Sequence, residues 1–416
     1  MKKFERKAQS ERKHGPLSVS SASKAPVAPP SGRPGWKGPS YIKKAPRQLP
    51  KPSSPQGPAS VVQEQLLPVE LQQLVLDIFR DTFPASYDFD ALKPTLQEIK
   101  DALIQRNFDR AFGKAEFLEA YAIRWSPSRA LAYSNLLAWV CGERAEEIWV
   151  KRLIGITKDS PANVVCFGGG AAEIMAFAGL LRHLRAGAAG RPNPPEDVSE
   201  ELEALSMSES TATSTSTALN LHLVDSANWS SVVSKLHAAL TTPPTLSKYA
   251  SAAARVANAS FLSSDALKST FTQGDILESG IEDLSSMIGP EPALLTLMFT
   301  LNELYTASMP KTIAFLLKLT TAAPKGSLLL VIDSAGSCSE TTKKKYPMSW
   351  LMDHTMLSKR VKNGERDEDE GEGEETTSAW EKVVNEESTW FRLAESLKYP
   401  VSLENMRFQV HLFKRL

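Results

Sequence analysis

The chain has 416 residues, 42% of them hydrophobic and 8% aromatic, enough to bury a sizeable core, so a protein disordered throughout is excluded. Its 48 basic and 48 acidic residues balance, yet residues 1–60 hold thirteen cations against only Glu5 and Glu11, a local net charge of +11 that leaves the remainder acidic. Cys141, Cys166 and Cys338 stand singly with no His at ligand spacing, which excludes a disulfide framework and a zinc site; with no long apolar run, the chain reads as a soluble protein of a reducing compartment, without membrane partners.

Residues 1–60 are rich in Pro, Ser, Gly and Lys, with Trp36 and Tyr41 isolated, a composition that does not repay the entropy of folding. They read as a disordered arm, either binding nucleic acid and directing the chain to the nucleus or simply solvated. Helical periodicity then covers a helical extension over 61–160. Leu66, Leu71, Leu74, Val75, Ile78 and Phe79 share a face ending at Pro84, and Leu92, Leu96, Ile99, Leu103 and Phe108 repeat the pattern. In Tyr121-Ala-Ile-Arg-Trp-Ser-Pro-Ser-Arg-Ala-Leu-Ala-Tyr133, Ser126 is placed to cap a helix with Pro127 at its first position. Arg124, Trp125, Arg129 and Tyr133 there suit phosphate contact and base stacking; equally, Trp125 and Tyr133 suit a core with surface arginines.

Asn163-Val-Val-Cys-Phe-Gly-Gly-Gly-Ala-Ala-Glu173 opens an α/β domain over 161–416 and reads as strand, tight turn and helix. Gly168, Gly169 and Gly170 would let backbone approach a ligand, with the helix N-terminus from Ala171 pointing at it. The helix continues to Leu184, and a mobile insert follows near 187–217. Leu219–Asp225 is the second strand. Without the insert, Asp225 falls 26 residues after Gly168, a spacing that suits a carboxylate accepting ribose hydroxyls. The third strand falls at Ala259–Leu262 or at Phe271, running into Gln273-Gly-Asp275. There Asp275 either accepts from an adenine amino group, with Ile276 against the ring, or caps a helix.

Leu294–Leu301 is the clearest buried strand, with Asn302 and Glu303 at its carboxyl end, where open α/β sheets bind ligands. Helix Lys311–Leu319 and strand Ser327–Asp333 follow. A second, acidic insert near 361–378 includes eight carboxylates and one Arg between Glu365 and Glu375, a solvated loop rather than a metal site. Asn405–Arg415 alternates polar and apolar residues, as a strand at a mixed-sheet edge would. His354 and His411 receive no role.

Carboxylates after the second and third strands, Asn302 after the fourth and a closing antiparallel strand together resemble a class I S-adenosylmethionine-dependent methyltransferase. Tyr121–Tyr133, Val164–Glu173, Leu223–Trp229, Phe299–Tyr305, Tyr346–Thr355 and Asn405–Arg415 resemble, more narrowly, the fungal family that methylates uridine N3 in large-subunit (25S) ribosomal RNA. Tyr346–Thr355 and Leu403–Arg415 are the most distinctive of these segments, and the similarity spans residues 65–416 outside the inserts.

The resemblance implies a Rossmann-like sheet with helices on both faces and S-adenosyl-L-methionine held by Gly168, Gly169, Gly170, Glu173, Asp225, Asp275 and Asn302. It also implies Asp333 or Glu303 as the carboxylate taking the N3 proton, and Arg124, Trp125, Arg129, Tyr133 and Tyr305 as RNA contacts. Ribosomal RNA or a pre-ribosomal particle would be the partner, and the nucleus, above all the nucleolus, the location, with the cytoplasm as alternative. Cys166 stands where many enzymes of the class carry an acid, two positions before the first glycine. The group gripping the methionine end therefore stays open.

No cysteine has the context of a pyrimidine C5 nucleophile, and Asn302-Glu-Leu-Tyr305 lacks the Pro-Pro-aromatic turn of exocyclic adenine methylation. A nicotinamide-dependent oxidoreductase would explain the glycine turn and Asp225 but not the closing strand or the basic arm. A non-catalytic assembly factor would keep the fold and bind RNA without methyl transfer.

Overall fold

The computed structural model describes residues 65–155, 160–189, 219–256, 258–340, 345–358 and 378–416, all within one compact unit spanning Gln56–Leu416. The arm 1–60 and nearly all of the inserts expected near 187–217 and 361–378 lie outside the described residues. The strands are β1 (Ala162–Phe167), β2 (Leu219–Asp225), β3 (Leu267–Gln273), β4 (Ala293–Met298), β5 (Leu328–Ser334), β6 (Cys338–Glu340), β7 (Lys345–Pro347), β8 (Trp380–Phe391) and β9 (Met406–Arg415). Seven form one sheet in the order β3-β2-β1-β4-β5-β9-β8. β1 to β5 run parallel, β9 runs antiparallel to both β5 and β8, and β6 pairs with β7 as a separate hairpin.

Side-chain alternation splits β1 between two cores. Val164 and Cys166 join a cluster on one face of the sheet, while Val165 and Phe167 join a cluster on the other. A strand covered by helices on both faces has no polar side, which is why β1, β4 and β5 read as apolar runs. The first face carries helices Ser126–Glu143, Ala171–Ala189 and Ser230–Thr241, and the second carries Ile281–Ile288, Leu301–Ala322 and Met348–Met356. This is the expected Rossmann-like α/β arrangement with a closing antiparallel strand. Among the described residues no helix is long and apolar enough to cross a membrane.

The helices before β1 form an outer layer of the same core. Val75 and Phe79 of helix Val69–Thr82 and Leu136 of helix Ser126–Glu143 belong to one cluster with Met175 and Phe177. The Ser134 hydroxyl donates to the Ala176 carbonyl at 2.9 Å, and a Cβ on Gly179 would come within 2.8 Å of that hydroxyl oxygen. Helix Ser126–Glu143 thus lies close enough to Ala171–Ala189 to carry its own residues to the sheet's carboxyl edge.

Several expectations shift. β3 is Leu267–Gln273, and Ala259–Leu262 is a loop in which the Leu262 N–H donates to the Leu240 carbonyl at 2.9 Å. β4 stops at Met298, three residues before the expected end, because helix Leu301–Ala322 begins at once and puts Asn302 and Glu303 on its first turn. That helix starts ten residues before the expected Lys311 and breaks at Ser308, two residues before Pro310, whose ring cannot continue the preceding turn. Ser126 does not cap its helix, because the chain runs on from Ala115–Arg124 through Trp125 in helical conformation. β9 is not at the edge: it lies between β5 and β8, and its polar Gln409 and His411 are buried at 1% and 0% exposure.

Candidate active site

The connections from β1 and β4, neighbours in the sheet, leave to opposite faces, which opens a crevice beyond their carboxyl ends. The glycine turn forms one wall. Gly168 has φ +77°, a conformation that costs an L side chain about 1–2 kcal/mol, and its N–H donates to the Val224 carbonyl at 2.7 Å. The Gly169 N–H shares that carbonyl at 3.2 Å. A Cβ on Gly168 would lie 2.6 Å from Thr300 Cγ2, and one on Gly170 would lie 3.0 Å from the Trp229 ring. The Cβ directions at these two positions are thus filled by protein, so the turn is held from behind as well as able to approach a ligand.

Glu173 reaches back along its helix, and its carboxylate accepts the Gly170 N–H at 2.7 Å. That is the reach of a first-turn acid to the preceding backbone amide. It is 5% exposed, and burial raises its pKa against the opposing pull of this bond and of Arg129. Asp225 ends β2. Its carboxylate accepts the Ala227 N–H at 2.7 Å, and burial pushes it up to about 7 although Ala227 and the Trp229 side chain favour the charge. Asp275 follows β3, is exposed, and closes the next turn by accepting the Leu277 N–H at 2.9 Å, while Ile276 is buried beside it. These contacts leave acceptor capacity on both carboxylates, and the Gly274 N–H to Asp225 carbonyl bond of 2.9 Å ties their two turns together.

Above the turn, helix Ser126–Glu143 delivers Arg129 into an aromatic box. Its guanidinium donates to the Tyr121 hydroxyl and lies 5.5 Å from the Tyr121 ring centroid and 5.0 Å from that of Phe299. Burial opposes its charge, but Tyr121, Tyr133 and Glu173 around it raise its pKa, so it is cationic. Among the described residues no carboxylate forms an ion pair with it. Phe299 has φ +58°, an outlier for a bulky residue, and its N–H donates to the Ile332 carbonyl at 2.7 Å. This bend turns the chain from β4 into its helix and sets the ring between Arg129 and Tyr133, 6.3 Å from the latter.

Asp333, at the end of β5, has both oxygens engaged: one accepts the Asn302 N–H at 3.0 Å, the other the Ser334 N–H at 2.8 Å. It is 3% exposed, and burial pushes its pKa up to about 6 despite these donors. As placed, it fixes the first turn of helix Leu301–Ala322. That turn carries Asn302 and Glu303 at the carboxyl end of the sheet, and their side-chain atoms Asn302 Oδ1 and Glu303 Oε2, like the buried Tyr133 hydroxyl, find no partner among the described residues. Burial raises Glu303, with Arg106 opposing. Arg106 itself, at φ +54°, reaches the Thr306 hydroxyl on the same helix.

The expected RNA contacts divide. Arg124 is spent inside the protein, on the Ser402 carbonyl at 3.1 Å and on Glu404. Trp125 is half-buried against Tyr121 at 5.0 Å. Tyr133 and Tyr305 are 1% and 3% exposed, so no base reaches either ring as placed. Tyr305 points into the core of the second face. Tyr121, Phe299, Trp229 and Arg106 were missed. Tyr121 alone had a legible signal, eight residues before Arg129 on the same helical stretch.

Unpartnered buried polar atoms cost free energy unless a ligand satisfies them. Asn302 Oδ1 offers an acceptor to an ammonium group, and Arg129 with the Tyr133 hydroxyl offers donors to a carboxylate. Asp225 offers acceptors to a diol. That donor and acceptor set fits the amino-acid end and ribose of S-adenosyl-L-methionine.

Comparison with known proteins gives the family. Residues 79–414 match the family described as putative SAM-dependent methyltransferase. The chain is 32% identical, over 351 residues, to the 25S rRNA (uridine(2843)-N(3))-methyltransferase of Saccharomyces cerevisiae, an alignment covering 82% of this chain and 85% of the yeast protein. Among solved structures, an O-methyltransferase family protein from Burkholderia thailandensis aligns at 8% identity and a TM-score of 0.28, covering 71% of this chain but only 62% of its own. A DUF574 family protein from Streptomyces avermitilis aligns at 10% identity and a TM-score of 0.28, with 70% and 90% covered. With its match running through both walls of the crevice, the chain belongs to this family of S-adenosylmethionine-dependent methyltransferases.

Proposed function

We propose that this enzyme methylates N3 of a uridine in large-subunit ribosomal RNA. The observation that carries the substrate is the 32% identity maintained over 82% of the chain with a yeast enzyme of that name. The geometry supports the chemistry. S-adenosyl-L-methionine, when bound, supplies an electrophilic methyl group on a sulfonium sulfur. In the proposed arrangement Arg129, the Tyr133 hydroxyl and Asn302 hold its amino-acid end, and Asp225 and Asp275 hold its ribose and adenine. Glu173 supports the turn through Gly170.

Uridine N3 carries a proton that must leave as the N–CH3 bond forms. Glu303 is the carboxylate best suited to accept it, because one of its oxygens is buried without a partner among the described residues and burial raises its basicity. Asp333 acts as a positioning residue, because backbone N–H groups already take both its oxygens. Since N3 lies on the pairing edge, the target base must be unpaired or flipped out. Nucleoside mass spectrometry of ribosomal RNA from cells with and without the gene tests the reading. Loss of 3-methyluridine supports it, and an unchanged profile sinks it.

Location in the nucleus or nucleolus is part of the same proposal, resting on the +11 charge of residues 1–60. Deleting them should leave cofactor affinity unchanged while flattening the salt dependence of RNA binding and dispersing the protein in cells.

A further inference from the structure

The last two strands carry a second cationic and aromatic group, outside the crevice. Trp390 of β8 pairs in register with Arg407 of β9 and remains 41% exposed. Two guanidiniums converge on its ring, Arg392 at 5.1 Å and Arg407 at 5.9 Å from the centroid. Arg407 is oriented by a 2.8 Å bond from its Nε to the Ser388 hydroxyl, and among the described residues no carboxylate neutralises either arginine. Two like charges gathered on one ring without a counter-ion cost free energy in isolation, and a partner bearing closely spaced anions repays that cost.

The register places the group. Ser334, the last residue of β5, pairs with Phe408, so Arg407 and Trp390 lie just beyond the carboxyl end of β5, on the crevice side of the sheet. Phe391 and Phe408 point into the first core, so their neighbours Trp390 and Arg407 point to the opposite face. Helix Met348–Met356 covers that face, and its Met348 N–H donates to the Ser337 carbonyl at 3.1 Å, three residues past the end of β5. β7 and this helix together bear a stack of three rings. Tyr346 lies 5.2 Å from Trp350 at 18°, and His354 lies 5.4 Å from Trp350 at 4° on the next turn. Trp350 is 50% exposed and His354 is exposed, so these two rings stand outside the core against which Tyr346 packs. Ser349 Oγ lies 3.5 Å from the Glu387 carboxylate, joining this helix to β8 three residues before Trp390.

We infer that Arg392 and Arg407, set on Trp390, form a phosphate clamp for a single-stranded stretch of the substrate RNA, and that the Tyr346–Trp350–His354 stack extends into one of its bases. The inference rests on the RNA reading above and adds where the strand beside the target nucleotide lies. Stacked rings accept any base, while guanidiniums track the backbone, the combination that single-strand-binding surfaces use. The surface therefore grips RNA with little sequence preference and leaves the choice of nucleotide to the crevice.

The test uses the full chain, a large-subunit ribosomal RNA fragment containing the modified uridine, and an unrelated single-stranded RNA of equal length. Binding is measured across a salt series for wild type, for Arg392→Ala with Arg407→Ala, and for Trp350→Ala. All the substituted side chains are exposed, and cofactor titration of each variant checks its fold. The arginine pair should weaken binding to both RNAs alike and make the log–log salt slope shallower by about 1.4, roughly 0.7 for each phosphate no longer neutralised. Trp350→Ala should weaken binding about 5- to 150-fold while leaving the slope unchanged. Wild-type affinity and slope in both folded variants would overturn the clamp while leaving the methylation reading intact. Loss of binding to pre-ribosomal particles alone, with naked RNA unaffected, would also overturn it, by making the patch a protein contact. A wild-type chain that binds neither RNA would end this inference, while 3-methyluridine lost from cells without the gene would still uphold the enzymatic reading.

Discussion

Two groups of buried polar side chains flank β5, and their hydrogen bonding differs. Between β5 and β8, His411 contacts the Asn385 and Gln409 side-chain oxygens at 3.0 Å each, and Gln409 donates to the Ser334 carbonyl and the Ser337 hydroxyl at 2.8 Å each. Burial and the nearby Lys382 push the His411 pKa down to about 3, so the ring is neutral and its single N–H donates to one of the Asn385 and Gln409 oxygens. On the β4 side, Tyr133, Asn302 and Glu303 keep buried atoms with no partner among the described residues. A group whose bonds close within the protein is a fastener. A group left open at the carboxyl edge of an α/β sheet carries a cost that folding alone does not repay, and a ligand is the natural repayment.

The widest separation between the two groups should come from Glu303→Gln, which leaves size and hydrogen bonding nearly intact while removing the base. Methyl transfer in single turnover should fall about 10²- to 10⁴-fold with cofactor affinity preserved. The wild-type rate should climb with pH through a Glu303 pKa above the ordinary carboxylate range, and that climb should vanish in the variant. A variant with the wild-type rate would remove Glu303 from the chemistry.

Arg129→Leu comes next. Removing the charge-assisted hydrogen bond proposed between it and the cofactor should weaken cofactor binding by about 1.5–3 kcal/mol in calorimetric titration. If affinity holds, the aromatic box is structural and another group grips the carboxylate. On the opposite side, His411→Leu should lower unfolding free energy by about 1–3 kcal/mol, because Gln409 is left with an unmade bond, while cofactor affinity stays level. A loss of affinity there would erase the distinction between fastener and site.

The smallest effect is a pH slope. Asp333 is raised to about 6 in the folded protein, so between its ordinary pKa and that value the native state holds more protons than the unfolded state. Stability should accordingly decline as pH rises through that window, by at most about 1.4 kcal/mol per pH unit for this group, and Asp333→Asn should flatten the decline. Denaturant midpoints between about pH 4 and 6.5 would register it. Stability that rises across that range through this residue would show the carboxylate ionised in place.

Local pattern was enough to mark β1, β2 and β5 of the parallel half, while it left β3 between two places and ran β4 on to Leu301. β2 over Leu219–Asp225 was legible from leucines alternating with polar residues ahead of a strand-end carboxylate, and the turn at Gly168 because a residue at φ +77° favours glycine. Asp225 and Asp333 were legible because each follows apolar strand residues, whereas Asp275 follows the polar end of β3 and was legible only as a turn carboxylate. Which of them has free oxygens was not, because hydrogen-bond partners come from other elements: Asp333 is taken by Asn302 of a helix that starts well before it in the chain, the two residues lying 31 positions apart. β9 misled for a related reason. Its alternation looked like a solvent face, but Gln409 and His411 are polar residues turned inward onto partners on β5, β8 and the loop after β5. Arg124 and Arg129 sit five residues apart in similar surroundings of sequence, yet one is neutralised by Glu404 from the far end of the chain and the other stands cationic over the glycine turn. The sequence alone determined which residues could carry charge to the crevice. Only the tertiary structure decided which still had that charge to offer, because pairing is settled by what the rest of the chain brings alongside.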